Sequence, residues 1–87
     1  MVNTFLLAEF GNRIRELRSI EKISQEQLAY KTGFHRTYIG MIERGERNIS
    51  LSNIAVFAKS FNLTVDELLK FNNSKELFSQ YRFKTED

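Results

Sequence analysis

The stretch QEQLAYKTGFHRTYIGMIERGERN, residues 25–48, sets two short helical patterns on either side of one glycine. Ser24 followed by Gln27 forms a capping box that starts a helix at about residues 25–32, and Gly33 stands where that helix needs a left-handed residue to end. A second helix follows over about residues 36–44 and is closed by Gly45. Laid out at about 100° per residue, Ile39 and Ile42 fall on one side, while Arg36, Thr37, Gly40, Met41 and Arg44 fill the opposite arc. The two isoleucines predict an anchor to a core. The outward arc serves no core and needs another explanation.

Upstream of this stretch, Leu7, Phe10, Ile14 and Leu17 recur at helical spacing. They predict a first helix capped by Thr4 and broken near residues 21–23, with Arg13, Arg15 and Lys22 off the apolar stripe. Gly11 inside it costs about 1 kcal/mol against alanine, which predicts soft first turns. Downstream, Ser50 caps a fourth helix with Leu51, Ile54, Ala55, Ala58 and Phe61 facing inward. Thr64 and Glu67 form a second capping box and open a fifth helix carrying Val65, Leu68 and Leu69. Asn72-Asn73 ends it, and Leu77, Phe78 and Tyr81 predict one more amphipathic turn or two. No run alternates with the period of a strand, and no internal repeat appears. The expected fold is all-α, five helices with a short C-terminal helical tail.

Eighty-seven residues make one domain with a modest core. A hydrophobic content of 41% and eight phenylalanines argue for a folded chain, and the absence of proline permits helices throughout. Without cysteine there are no disulfides, thiolate metal sites or cysteine nucleophiles, and a single histidine removes serine-type triads and multi-histidine zinc sites. His35 therefore reads as a helix cap or a phosphate neighbour, not a metal ligand. Asp66 and Glu67 open a helix, where carboxylates favour the dipole, and do not read as catalytic. An enzyme is not expected, nor a cofactor. The chain begins on an amphipathic segment and holds no apolar run of spanning length, so a cytoplasmic protein without a membrane partner is expected.

Charge is uneven. Residues 13–59 hold nine Lys/Arg against five Asp/Glu, and residues 60–87 hold four against five, which suggests a basic working half and a near-neutral tail. The working half contains a recognisable arrangement. Leu28 supplies the preceding helix's core contact, Ala29 gives a small residue at the crossing, Gly33 turns the chain, and Ile39 with Ile42 seats the next helix. This is a helix-turn-helix, which lays its second helix in the major groove of DNA. There an arginine can donate a bidentate pair to guanine, and threonine or methionine can touch a thymine methyl. The competing reading, a helical hairpin with a polar outer face, accounts for neither the basic centre nor the capped boundaries.

The segment from about Gly11 to Leu69 resembles the Cro/lambda-repressor type of helix-turn-helix domain, often called Xre-like. More narrowly, HRTYIGMIERGERNISLSNI and the flanking FGNRIRELRSIEKISQEQLAYKTG are similar to the controller proteins of restriction–modification systems. Those are small dimeric regulators that switch expression of their own gene and of the endonuclease gene. The resemblance implies residues 1–71 as the DNA-binding domain, with the helix-turn-helix at 25–44. Residues 72–87 are then a tail that packs on the domain or on a dimer partner. It implies Arg36 and Thr37 as base-reading positions, with Met41 and Arg44 on the same face. Gln25, His35, Tyr38, Arg47 and Asn48 fall at backbone-gripping positions, although Tyr38 beside Ile39 also suits a half-buried packing role. Arg18 and Glu43 match a structural ion pair that fixes the recognition helix, the alternative being two separate surface charges. The implied partners are duplex DNA with an inverted-repeat operator, a second copy of the chain, and RNA polymerase, with no metal.

A palindromic site needs a two-fold dimer, since one recognition helix reads only a few base pairs. Apolar residues beyond the needs of one small core nominate its interface: Phe57, Leu63, Val65, Leu69, Phe71, Leu77 and Phe78. A phage-type repressor or the antitoxin of a toxin–antitoxin pair satisfies the same residues. Outside DNA binding, the alternative is a protein-interaction module.

Overall fold

Five helices follow one another, with no strand, in the computed structural model, which describes residues 4–71. They are α1 (Thr4–Glu21), α2 (Gln25–Thr32), α3 (Arg36–Glu43), α4 (Leu51–Ser60) and α5 (Val65–Leu68). The expected tail, with Leu77 and Phe78, lies outside the described residues.

Local chemistry sets the boundaries. Ser24 and Thr64 each form a reciprocal capping box, with Gln27 and Glu67, and Ser50 caps α4 through the Asn53 N–H. The ends of α1, α3 and α4 share one two-bond closure around a left-handed residue. Lys22 and Ile23 donate back to Ser19 and Arg18, Gly45 and Glu46 to Ile42 and Met41, and Asn62 and Leu63 to Lys59 and Ala58. The turn between α2 and α3 uses Gly33 at φ 81°, where a side chain would be strained.

Packing draws all five helices onto one core of Phe10, Ile14, Leu28, Ile39, Ile42, Phe57, Ala58, Phe61 and Leu68. Phe57 is its hub. Its ring meets Phe10 edge-on at 6.0 Å and Phe34 at 5.3 Å, and it has no exposed surface. The expectation that Phe57 faces a dimer partner is therefore corrected: the residue joins α1, the α2–α3 turn and α4.

Two further expectations change on α4. Leu51 is 73% exposed and Ala55 is exposed, so the stripe that buries is Ile54, Phe57, Ala58 and Phe61. The expected stripe shares Ile54, Ala58 and Phe61 with the observed one and is centred too far toward Leu51, which sits at the first helical position and faces outward. Gly11 also has a different meaning. It is buried, and a Cβ there would lie 2.5 Å from the Glu43 carbonyl oxygen and 2.6 Å from that of Ile42. The residue that costs helix propensity is the one that lets α1 touch the end of α3.

Candidate nucleic-acid interface

Helix α3 is fixed from behind. Ile39 and Ile42 are sealed in the core, and burying each contributes roughly 1.5–3 kcal/mol. Next to Ile42 and one turn beyond Ile39, the side chain of Glu43 is buried, the single buried charge among the described residues. Arg18 Nε donates to its Oε2 at 2.7 Å, Arg18 Nη2 to its Oε1 at 3.0 Å, and Gln25 Nε2 to the same Oε1 at 3.0 Å. Arg15 Nη2 takes the Glu43 main-chain carbonyl at 2.7 Å, and Arg18 Nη1 reaches the Ile23 carbonyl at 3.1 Å. Burial pushes the Glu43 carboxyl up, but the bonds from Arg18 and Gln25 and the charges of Arg18 and Arg15 outweigh it and hold it below the usual range. Arg18 and Glu43 thus form a two-bond, largely buried pair.

The outward arc carries what remains. Arg36 and Thr37 are exposed in the first turn of α3, with Arg36 Nε 3.9 Å from Glu26. His35 caps the helix, its Nδ1 accepting from the Thr37 N–H at 3.1 Å. Met41 is half-buried. Gly40 was placed on the outer arc but is buried, because the Arg44 guanidinium folds back over it. Arg44 itself is exposed and donates to Glu46 at 2.9 Å. Tyr38 is half-buried against Phe34 at 5.0 Å, its hydroxyl accepts from Asn53 Nδ2 at 3.0 Å, and the Arg47 guanidinium lies over its ring at 5.4 Å. Asn48 is exposed beside Arg47.

The count of positive charge in residues 13–59 overstates what is free for a partner. Arg15 and Arg18 are committed to Glu43, and Arg13 donates to the Leu68 and Glu67 carbonyls at 2.9 Å each, closing the end of α5. Lys31 pairs with Glu21 at 3.1 Å. The exposed arginines on and beside the arc are Arg36, Arg44 and Arg47, of which Arg44 is itself paired with Glu46. Gln25 also departs from expectation: its amide is spent on Glu43, not held out for a phosphate. The capping box engages the N–H groups of Ser24 and Gln27, and not those of Gln25 and Glu26.

A fold with this arc has known counterparts. The model of the helix-turn-helix family matches residues 14–68. The control protein C.SmaI of Serratia marcescens is 50% identical over 64 residues, covering 74% of this chain and 73% of that protein. The crystal structure of the restriction–modification controller protein C.AhdI from Aeromonas hydrophila superposes with a TM-score of 0.68 at 47% identity, over 71% of this chain and 94% of that one. The restriction–modification controller C.Esp1396I, solved as a tetramer in complex with its natural 35-base-pair operator, superposes with a TM-score of 0.69 at 32% identity, over 85% and 96% of the two chains. The chain belongs to the helix-turn-helix family, in its control-protein branch.

Within that helix-turn-helix frame, the nominated dimer residues divide. Leu63, Val65, Leu69 and Phe71 are half-buried and pack at the edge of the core. Two contacts of the site lie outside the residues that the sequence nominates. Asn53 holds the Tyr38 hydroxyl across a tertiary contact that no local pattern announces. Arg15 was more accessible to reasoning: it lies three residues before Arg18, on the face that meets Glu43. Among the described residues no group of His, Asp and Glu is arranged to hold a metal, and no helix is long and apolar enough to cross a membrane.

Proposed function

We propose that this chain is a sequence-specific regulator of transcription that binds duplex DNA as a homodimer. It acts in a restriction–modification system on its own promoter and on that of the endonuclease. The observation that carries this reading is α3: an eight-residue helix held on one face by Ile39, Ile42 and Glu43, with Arg36, Thr37 and Arg44 exposed on the other. Similarity to C.SmaI and C.AhdI supports the biological setting, and the operator complex of C.Esp1396I supports DNA as the ligand.

In this reading α3 enters the major groove. Arg36 and Thr37 read base edges with Met41 and Arg44 beside them, and Arg47, Asn48, His35 and the Tyr38 edge grip the backbone. The free N–H groups at the start of α2 meet a phosphate. Two copies joined through α4 and α5 set their α3 helices about 34 Å apart, one turn of DNA. The protein works in the cytoplasm and performs no catalytic step.

Footprinting on DNA upstream of its own gene tests the proposal. The expected result is protection of an inverted repeat, with affinity falling by orders of magnitude between about 50 and 200 mM salt. No protection, or flat affinity across that range, would overturn it.

A further inference from the structure

Tyr38 sits where three parts of the chain meet. Its ring packs against Phe34 with centroids 5.0 Å apart, and the Arg47 guanidinium lies 5.4 Å from the ring centroid. Its hydroxyl reaches the first turn of α4, where Asn53 Nδ2 donates to it at 3.0 Å. Ser50 secures that turn, its side chain accepting from the Asn53 N–H at 3.1 Å. A phenol oxygen carries one proton and two lone pairs. The Asn53 bond uses a lone pair, so the proton points elsewhere, and among the described residues nothing accepts it. The exposed Arg47 and the positive end of α4 flank this donor. The acceptor suited to such a place is an anion.

We infer that Asn53 is a positioning residue for DNA binding, which holds the Tyr38 hydroxyl by a lone pair and so leaves its proton for a backbone phosphate. The inference rests on the DNA-binding reading above and names the atom with which Tyr38 grips. The amide also polarises the O–H it donates to, which strengthens the outgoing bond. A phosphate oxygen accepts from a hydroxyl whatever the base beside it, so the contribution is common to every duplex. The hydroxyl is neutral and displaces no counterion, so it leaves the salt slope unchanged, unlike Arg47.

Tyr38→Phe removes the hydroxyl and Asn53→Ala removes its holder. Asn53→Asp imposes the opposite arrangement, a carboxylate that takes the proton, at a place in the first turn of a helix that suits an acid. Binding is measured on an operator duplex and on a scrambled duplex of equal length, with each Asn53 variant in the native chain and in the Tyr38→Phe background. Circular dichroism verifies that each variant melts like its parent. Tyr38→Phe should weaken both duplexes alike, by about tenfold, with the salt slope unchanged. Asn53→Ala should weaken both by about threefold or more in the native chain, and by less than about twofold in Tyr38→Phe. Asn53→Asp adds its charge in either background, so the difference between backgrounds reads the captured proton. Its loss should be at least about threefold greater in the native chain. Losses that persist in full in Tyr38→Phe would overturn the inference and make Asn53 a contact in its own right. So would unchanged affinity in Tyr38→Phe, or a loss confined to the operator, and each would leave the DNA-binding reading intact. A native chain that binds neither duplex would overturn both.

Discussion

Gly11 of α1 and Glu43 of α3 meet through their backbones, so closely that a Cβ on Gly11 would lie 2.5 Å from the Glu43 carbonyl oxygen. The recognition helix is registered against the first helix by the lack of a side chain. Gly11→Ala should therefore destabilise the protein by about 1–3 kcal/mol, although alanine is the better helix former by about 1 kcal/mol. Urea melts of the two chains measure the difference. A gain in stability would mean that the backbones separate at little cost.

The Arg18–Glu43 pair predicts an asymmetry. Arg18→Met removes the bidentate partner of a carboxylate on a residue only 3% exposed, leaving it the Gln25 bond, and should cost about 3 kcal/mol. Glu43→Gln should cost less, since the Arg18 side chain is a fifth exposed and keeps its bond to the Ile23 carbonyl. Thermal melts of both variants rank them.

The same pair predicts a pH dependence. The Glu43 carboxyl is held below its unfolded value of about 4.3. Its contribution is therefore fully present above that pH and is lost as pH falls through the lower folded value. Between about pH 5 and pH 3, Tm should fall more steeply in the native chain than in Glu43→Gln.

Arg36→Ala and Arg47→Ala should separate reading from gripping. The first should lower the ratio of operator to scrambled-DNA affinity, by about 1–3 kcal/mol if a guanine pair is lost. The second should weaken both duplexes alike and flatten the salt slope by about one. Titrations on the two duplexes distinguish them, and an unchanged ratio in Arg36→Ala would remove that residue from the reading set.

Leu51→Asp and Phe57→Ala should separate assembly from folding. Leu51 is exposed on α4, so an aspartate there should leave the melt within about 0.5 kcal/mol of the parent while halving the sedimenting mass. Phe57 is the core hub, and its truncation should cost about 3–5 kcal/mol. An Leu51→Asp chain that stays dimeric would move the interface off the α4 N-terminus.

Most helix boundaries were legible because they are written in a few adjacent residues: Ser24 with Gln27, Thr64 with Glu67, Gly33 and Gly45 after their helices. The end of α5 was not, since the chain leaves the helix after Leu68 and not at Asn72-Asn73. The anchored face of α3 was equally readable, since Ile39 and Ile42 share one side of a single helix. What escaped depends on contacts between helices. Gly11 looked like a weakness because propensity sees one helix and not the second backbone against it. Phe57 looked like surplus because counting apolar residues does not say which one meets Phe10 and Phe34. Arg13 and Arg15 looked like surface charge because their acceptors, the last carbonyls of α5 and the Glu43 carbonyl, lie 28 to 55 positions away, whereas Arg18 was paired with Glu43 through the family resemblance.

Helix α1 reaches both ends of the machine. Gly11, Arg15 and Arg18 hold the recognition helix, while Arg13 closes a four-residue α5 that is too short to stand on its own hydrogen bonds. With the partner surface on α4 and α5, as proposed, reading head and partner surface share one axle. A genetic screen for lost regulation should collect changes at Gly11, Arg13 and Arg18, in a helix assigned no contact with DNA, and many of them should fail in operator reading and in pairing together. Variants that lose one trait and keep the other should come from α3 or from α4 and α5.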